Sequence, residues 1–197
     1  MSKPVSCKDA IKLYAQKVTD ELRKDNPEAP EAKPEELKEV LLYYQYPPMD
    51  KMDASLQTLK ECEKLSLSSN NIDKITGISN LPHLKILSLG RNAIKKIEGL
   101  DGVKDTLQQL WISHNLIEKL HPLLTLKNLQ VLYMACNNIN SWGEIERLSE
   151  LPNLQEISFI GNPLQISTAD WRKQVFKRLP NLKKLDGVPP SDEDLAG

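Results

Sequence analysis

Aromatic side chains are scarce in this sequence, at 5% of 197 residues, while hydrophobic residues of all kinds make up 40%. That excludes a core built on Phe, Tyr and Trp; whatever core forms is aliphatic. Cysteine is scarcer still. Cys7, Cys62 and Cys136 are odd in number and far apart, so they supply neither a disulfide framework within the chain nor a Cys-x-x-Cys zinc or redox pair. Free thiols in a reducing compartment are expected. No stretch approaches 18 apolar residues, and charges interrupt the amino-terminal MSKPVSCKDAIKLYAQKV every few positions. Neither a membrane span nor a signal peptide is expected, and no membrane partner. A surplus of one charge is missing too: Lys and Arg number 26, Asp and Glu 27. Nothing there would neutralise a phosphate backbone, so no nucleic acid is expected. The length suits one medium domain or one elongated repeat array, in a soluble protein of the cytoplasm.

An apparatus for catalysis is also missing. The eight glycines form no phosphate-binding loop. His83, His114 and His121 are not spaced with another His, Cys or carboxylate in the manner of metal ligands. No nucleophile has a base in evident reach. The expectation is a protein that is not an enzyme, with no metal, no cofactor and no small-molecule substrate.

What is present is a repeat. Cys62 to Ile72 reads LxxLxLxxNxI with Cys in the first slot, and the pattern returns at Leu84–Ile94, Leu107–Ile117, Leu129–Ile139 and Leu154–Leu164. The asparagines Asn70, Asn92, Asn115, Asn137 and Asn162 are separated by 22, 23, 22 and 25 residues. This is a leucine-rich repeat. The LxL part is a short strand whose two large residues share a face; Leu65 and Leu67 begin two stacked columns that Ile157 and Phe159 end. The Asn amide, with two donors and an acceptor, can satisfy backbone groups that the turn leaves open. Between copies, apolar residues recur at a spacing of three, as at Ile75, Ile78 and Leu81, which suits helical or 3-10 turns on the outer side. The fold class expected is an α/β solenoid: short parallel strands on one face, helical turns outside, and helical caps at both ends.

The chain divides accordingly. Residues 1–58 form a helical amino-terminal cap, with Ser6 capping a helix that turns Ile11, Tyr14, Val18 and Leu22 inward. A Pro-rich break without a core follows at 26–34, then helices over Glu35–Tyr44 and Asp53–Glu61. Residues 59–166 carry the five repeats. Residues 167–190 form the carboxy-terminal cap, a helix with Trp171, Val175 and Leu179 inward and Thr168 or Asp170 as N-cap. Residues 191–197 are an acidic tail expected to be disordered.

Strand alternation predicts a surface. The slot between the two inward residues holds Ser66, Ser88, Trp111, Tyr133 and Ser158. Most outward slots are small or polar, but Trp111 and Tyr133 share a slot on adjacent strands and should lie about 5 Å apart. Ile86, Val131, Ala135 and Ile160 surround them, with Arg91 and His114 at one edge. A capping segment folded over the sheet is the alternative to a protein-binding patch; the clustering of aromatic residues and Arg favours the patch. Trp142 and Phe159 fall in inward slots and read as core. A second feature is charge: residues 167–184 hold Arg172, Lys173, Lys177, Arg178, Lys183 and Lys184 against one acid, Asp170. Such a helix is either a solvated face or a contact for an acidic surface.

Repeats of this length and form resemble the class typified by a regulatory subunit of protein phosphatase 1. The segments PPMDKMDASLQTLKECEKLSLSSNNIDKI, LSLGRNAIKKIEGL, LQQLWISHNLIEKL, VLYMACNNINSWGEIERL and RLPNLKKLDGVP are more narrowly similar to the leucine-rich-repeat light chains of outer-arm axonemal dynein. Residues 24–46 depart from that likeness in being more Pro- and Glu-rich. The resemblance implies a non-catalytic subunit of a ciliary motor, located in the axoneme and cytoskeleton. Its partner is a dynein heavy chain, held near the microtubule-binding stalk, with the effect of modulating motility. In that setting Ile86, Arg91, Trp111, His114, Val131, Tyr133, Ala135 and Ile160 would dock the heavy chain. Arg172, Lys173, Lys177 and Arg178 would meet the heavy chain or tubulin in the microtubule. The rival is a leucine-rich-repeat adaptor of another complex, such as a phosphatase regulator.

Overall fold

A computed structural model describes residues 3–196. Each strand begins one residue before its LxL segment and ends on the residue between the two inward side chains, and the strands pair in parallel in chain order: β1 (Glu39–Leu41), β2 (Lys64–Ser66), β3 (Ile86–Ser88), β4 (Gln109–Trp111), β5 (Val131–Tyr133), β6 (Glu156–Ser158) and the two-residue β7 (Lys184–Leu185). The register is in phase throughout, so Leu41, Ser66, Ser88, Trp111, Tyr133 and Ser158 form one row across the sheet. Behind it lies the aliphatic core. Leu65, Leu87, Leu110, Leu132, Ile157 and Leu185 are fully buried, as are Leu67, Leu89, Ile112, Met134 and Phe159 in the next row. Each such side chain contributes about 1.5–3 kcal/mol on leaving water. The outer side carries 3-10 turns at Ala54–Thr58, Asp101–Val103 and His121–Thr125, and the short helix α2 (Trp142–Arg147). Coils there approach closely. At Gly77 and Gly99, both with positive φ, an added Cβ would fall on the carbonyl oxygen of Asp53 and of Ile75 in the preceding coil, so only glycine fits.

The asparagines form the expected ladder. Asn115 Oδ1 accepts from Ile94 N of the preceding coil at 3.0 Å, and its amide nitrogen donates to Ile112 O of its own coil and Leu89 O of the preceding one. Asn92, Asn137 and Asn162 repeat this pattern, and Asn70 makes the same bonds to Met49 N, Leu67 O and Leu42 O.

The ends differ from expectation in several places. Helix α1 (Cys7–Asp25) is capped by Ser6 as foreseen, but its inward face is Cys7, Ala10, Ile11, Ala15 and Thr19. Tyr14 and Val18 are half-buried and Leu22 is exposed. Small residues win the inner face because they let the helix sit close on the 54–58 turn. The Pro-rich segment is not without core contact: Ala29 is buried, and Ala32 N donates to Thr19 Oγ1. Glu35–Tyr44 is not a helix. It holds a single 3-10 turn (Pro34–Glu36) and then β1, because the open edge of β2 offers backbone partners. Leu42 N and Tyr44 N donate to Ser66 O and Ser68 O, and Lys64 N donates to Lys38 O. Asp53–Glu61 shortens to the 54–58 turn.

At the far end α3 (Pro163–Ser167) and α4 (Trp171–Arg178) close the stack, with Trp171, Val175 and Leu179 buried as expected. Asp170 precedes α4 with φ 52° but its side chain makes no cap bond, and Thr168 Oγ1 bonds Leu164 O instead. The acidic tail is not disordered over 191–196. It forms the short helix α5 (Asp192–Leu195), closed by a capping box between Ser191 and Asp194. The last tail residue lies outside the described residues.

Candidate functional site

Strands β3 to β6 position the outward side chains by pleat alone. Trp111 and Tyr133 face out as neighbours, ring centroids 5.9 Å apart and planes 30° apart. Both are half-buried rather than free, because Ile86 and Val131, also half-buried, pack beside them in the next row. Ala135 is half-buried, Ile160 is 52% exposed, and Arg91 and His114 are exposed. The structure therefore brings all eight residues to one face. The phenol of Tyr133 donates to Glu156 Oε1 at 2.7 Å, and that bond, with some desolvation, raises its pKa. The Trp111 indole N–H is shielded from solvent and has no acceptor among the described residues.

Ser66 and Ser88, expected to be solvated, are buried; Ser88 Oγ lies 2.7 Å from Ser68 Oγ. Arg91, His114 and Cys136 sit in the same corner slot as Ser69, each with φ between 54° and 57°. Their backbone N–H groups donate along the row to Ser113, Ala135 and Ile160, and Ser69 N donates to Gly90 O.

Sequence reasoning missed the residues that β1 adds to this face. Leu41 extends the row of Trp111, Tyr43 the next row, and Tyr44 the corner slot with φ 52°. Tyr44 and Tyr46 are 79% and 91% exposed. A signal existed: Leu37-x-x-Val40-x-Leu42-x-x-Gln45 is a degenerate repeat, with Gln for Asn, 25 residues before Asn70.

The basic helix is more committed than its sequence suggests. The Arg172 guanidinium pairs with Asp194 at 2.9 Å and donates to Leu185 O and Pro189 O. Arg178 pairs with Glu146 at 3.0 Å and lies over the Trp142 ring at 4.1 Å. Trp142 is accordingly a half-buried platform rather than a core residue, stacked on Trp171 at 5.5 Å. Lys173 and Lys177 have no ion-pair partner among the described residues. The thiols of Cys7 and Cys62 are buried, and desolvation pushes them to about 11 and about 12.

Comparison with known proteins extends this picture. Family models match residues 60–102 as leucine-rich repeats in two copies, and residues 98–192 as the repeat region of leucine-rich repeat and WD repeat-containing protein 1. Dynein axonemal light chain 1 of Chlamydomonas reinhardtii is 47% identical over 195 residues, covering 96% of this chain and 92% of the relative. The light chain 1 of Ciona intestinalis is 49% identical, covering 96% and 95%, and that of Bos taurus 46%, covering 98% and 97%. Among solved structures, a Leptospira interrogans leucine-rich-repeat protein aligns at TM-score 0.63 and 26% identity, over 76% of this chain and 37% of its own. A chain of the Drosophila melanogaster SNF/U2A′ complex aligns at 0.62 and 21%, over 74% and 88%, a likeness of fold.

Proposed function

The chain belongs to the family of axonemal dynein light chain 1, leucine-rich-repeat proteins, and from that premise we propose that it is a non-catalytic light chain of an outer-arm dynein in the axoneme of a cilium or flagellum. It docks a segment of the motor heavy chain, near the microtubule-binding stalk, on its open sheet face, and so modulates beating. The observation that carries this reading is the Trp111–Tyr133 stack on the outward sheet face, away from the main packing of the caps among the described residues: α1 packs on the 54–58 turn and β1, and α4 on α2 and α5. Stacked aromatics bordered by Ile86, Val131 and Ile160, with Arg91 and His114 at the rim, have the make-up of an interface centre. Lys173 and Lys177 are placed to meet an acidic surface of the heavy chain or of tubulin, and Arg172 and Arg178 serve the cap first.

Pull-down of the heavy chain tests the docking. Trp111→Ala with Tyr133→Ala should weaken it at least about thirtyfold, the equivalent of ~2 kcal/mol for one hot spot, while circular dichroism stays unchanged. Undiminished binding by the folded double variant would refute the sheet face as the site. Lys173→Glu with Lys177→Glu should reduce microtubule contact, most visibly at low salt.

A further inference from the structure

We propose that Glu156 is a positioning residue of the sheet face: it holds the Tyr133 ring in place, and through that ring the Trp111 indole, so that the pair meets a partner already assembled. The inference rests on reading that pair as the docking centre.

Register sets the arrangement. Tyr133 lies opposite Trp111 on one side and Ser158 on the other, and Glu156 stands two residues before Ser158, on the same outward face. A serine leaves room beside the ring. The phenol therefore reaches diagonally across to β6 and donates to Glu156 Oε1 at 2.7 Å, its one hydrogen bond among the described residues. The carboxylate is itself held from the far side. Lys184 is its register partner on β7, and the ammonium lies 3.6 Å from Oε2. The Glu156 side chain is only 18% exposed, against 51% for that of Lys184, so the carboxylate is the sheltered member of the pair. The Ser158 hydroxyl does not compete for it, because it donates to Asp186 at 2.9 Å.

A hydrogen bond to an ionised acceptor is stronger than one between neutral groups. A tyrosine at an outward strand position otherwise samples several rotamers, and fixing it on binding opposes affinity. Here the ring is fixed on folding, before any partner arrives. The effect passes to Trp111. Its opposite residue on β3 is Ser88, which is small and buried. The indole thus has a large neighbour in its own row only at Tyr133, with centroids 5.9 Å apart and planes 30° apart. With its hydroxyl committed, Tyr133 offers a partner carbon and not a hydrogen bond. Apolar side chains of the docked segment are therefore what the centre of this face accepts.

The test uses the full chain, isotope-labelled for nuclear magnetic resonance, with the Trp111 indole N–H peak assigned by its loss in Trp111→Phe. Glu156→Ala and Tyr133→Phe should each move that peak, and the two together no further than either alone, as coupled partners do. Glu156→Gln keeps an acceptor and should restore the wild-type position. The indole peaks of Trp142 and Trp171, at the cap, should stay in place and report that each variant is folded. In pull-down of the heavy chain, Glu156→Ala and Tyr133→Phe should each weaken capture about fivefold, the worth of one hydrogen bond of ~1 kcal/mol. Combining them should add no further loss, and Glu156→Gln should capture as wild type does. A Trp111 peak unmoved by Glu156→Ala overturns the proposal. So do additive effects of the two substitutions, a Glu156→Gln variant that behaves as Glu156→Ala, or capture undiminished by Glu156→Ala where Trp111→Ala with Tyr133→Ala abolishes it. The resonance arm contains no heavy chain. Should the double alanine variant leave capture intact, the sheet-face reading fails, while the indole peak still decides whether Glu156 holds the pair.

Discussion

At each coil of the stack one amide side chain settles three backbone groups at once, and that is where single residues matter most. Asn137 is buried and bonds Ile117 N, Met134 O and Ile112 O. Asn137→Ala leaves the buried Ile117 N–H without a partner and removes one of two amide donors from Ile112 O and from Met134 O, and should cost about 1–3 kcal/mol in urea unfolding. Asn70→Ala, at a half-buried position near the end of the ladder, should cost less. The corner slot has the opposite behaviour. Arg91 holds a left-handed backbone with φ 56°, which a glycine adopts without strain. Arg91→Gly should leave stability unchanged or raise it by about 0.5–1 kcal/mol, while weakening heavy-chain capture. A thermal melt beside the pull-down separates the two effects. The thiols form a third case. Cys7 and Cys62, buried and raised to about 11 and about 12, carry almost no thiolate at pH 8. A thiol-reactive dye should therefore label Cys136 alone in the folded chain, and all three cysteines in urea.

Among the elements, those repeated in the sequence were legible and those built by contact were not. Five strands, their inward columns and the outer turns follow from one spacing, because each position is set by its own repeat. The same spacing placed Trp111 beside Tyr133. Strand β1 was not visible as a strand, since Leu37, Val40, Leu41 and Tyr44 also fit a helical face. Its pairing is decided by the open edge of β2, which lies in another segment. The tail helix escaped notice for a similar reason: SDED reads as a solvated acidic end until Arg172 is seen to reach it. This pairing sets a pH dependence. A carboxyl whose folded pKa is depressed stabilises its docked state above its ordinary value of 3.8, and the contribution disappears as pH falls through the lower folded value. Helix α5 should stay protected from amide exchange between pH 8 and 5, and lose protection only below about pH 3.8.

Taken whole, the molecule is a one-dimensional stack whose coils touch only their neighbours, closed by α1 at one end and α4 at the other. Stability in such an array is a sum along the axis, highest where both neighbours are present. Hydrogen exchange should therefore be slowest in β3 to β5 and faster toward β1 and β7. Loss of the first 38 residues should expose β1 and the buried Val40 and Leu42, giving a chain that associates rather than one that merely melts early.

Because the strands run in step with no offset from one coil to the next, the outward face is graduated: every coil advances it by one strand spacing, about 4.8 Å. Two patches on this protein are thus separated by a whole number of such steps, and evolution can lengthen or shorten the distance between them only by inserting or deleting a coil. A partner that reads the tyrosines at one end and the indole in the middle together is measuring a length, and it would reject a relative one coil longer even if every contact residue were the same.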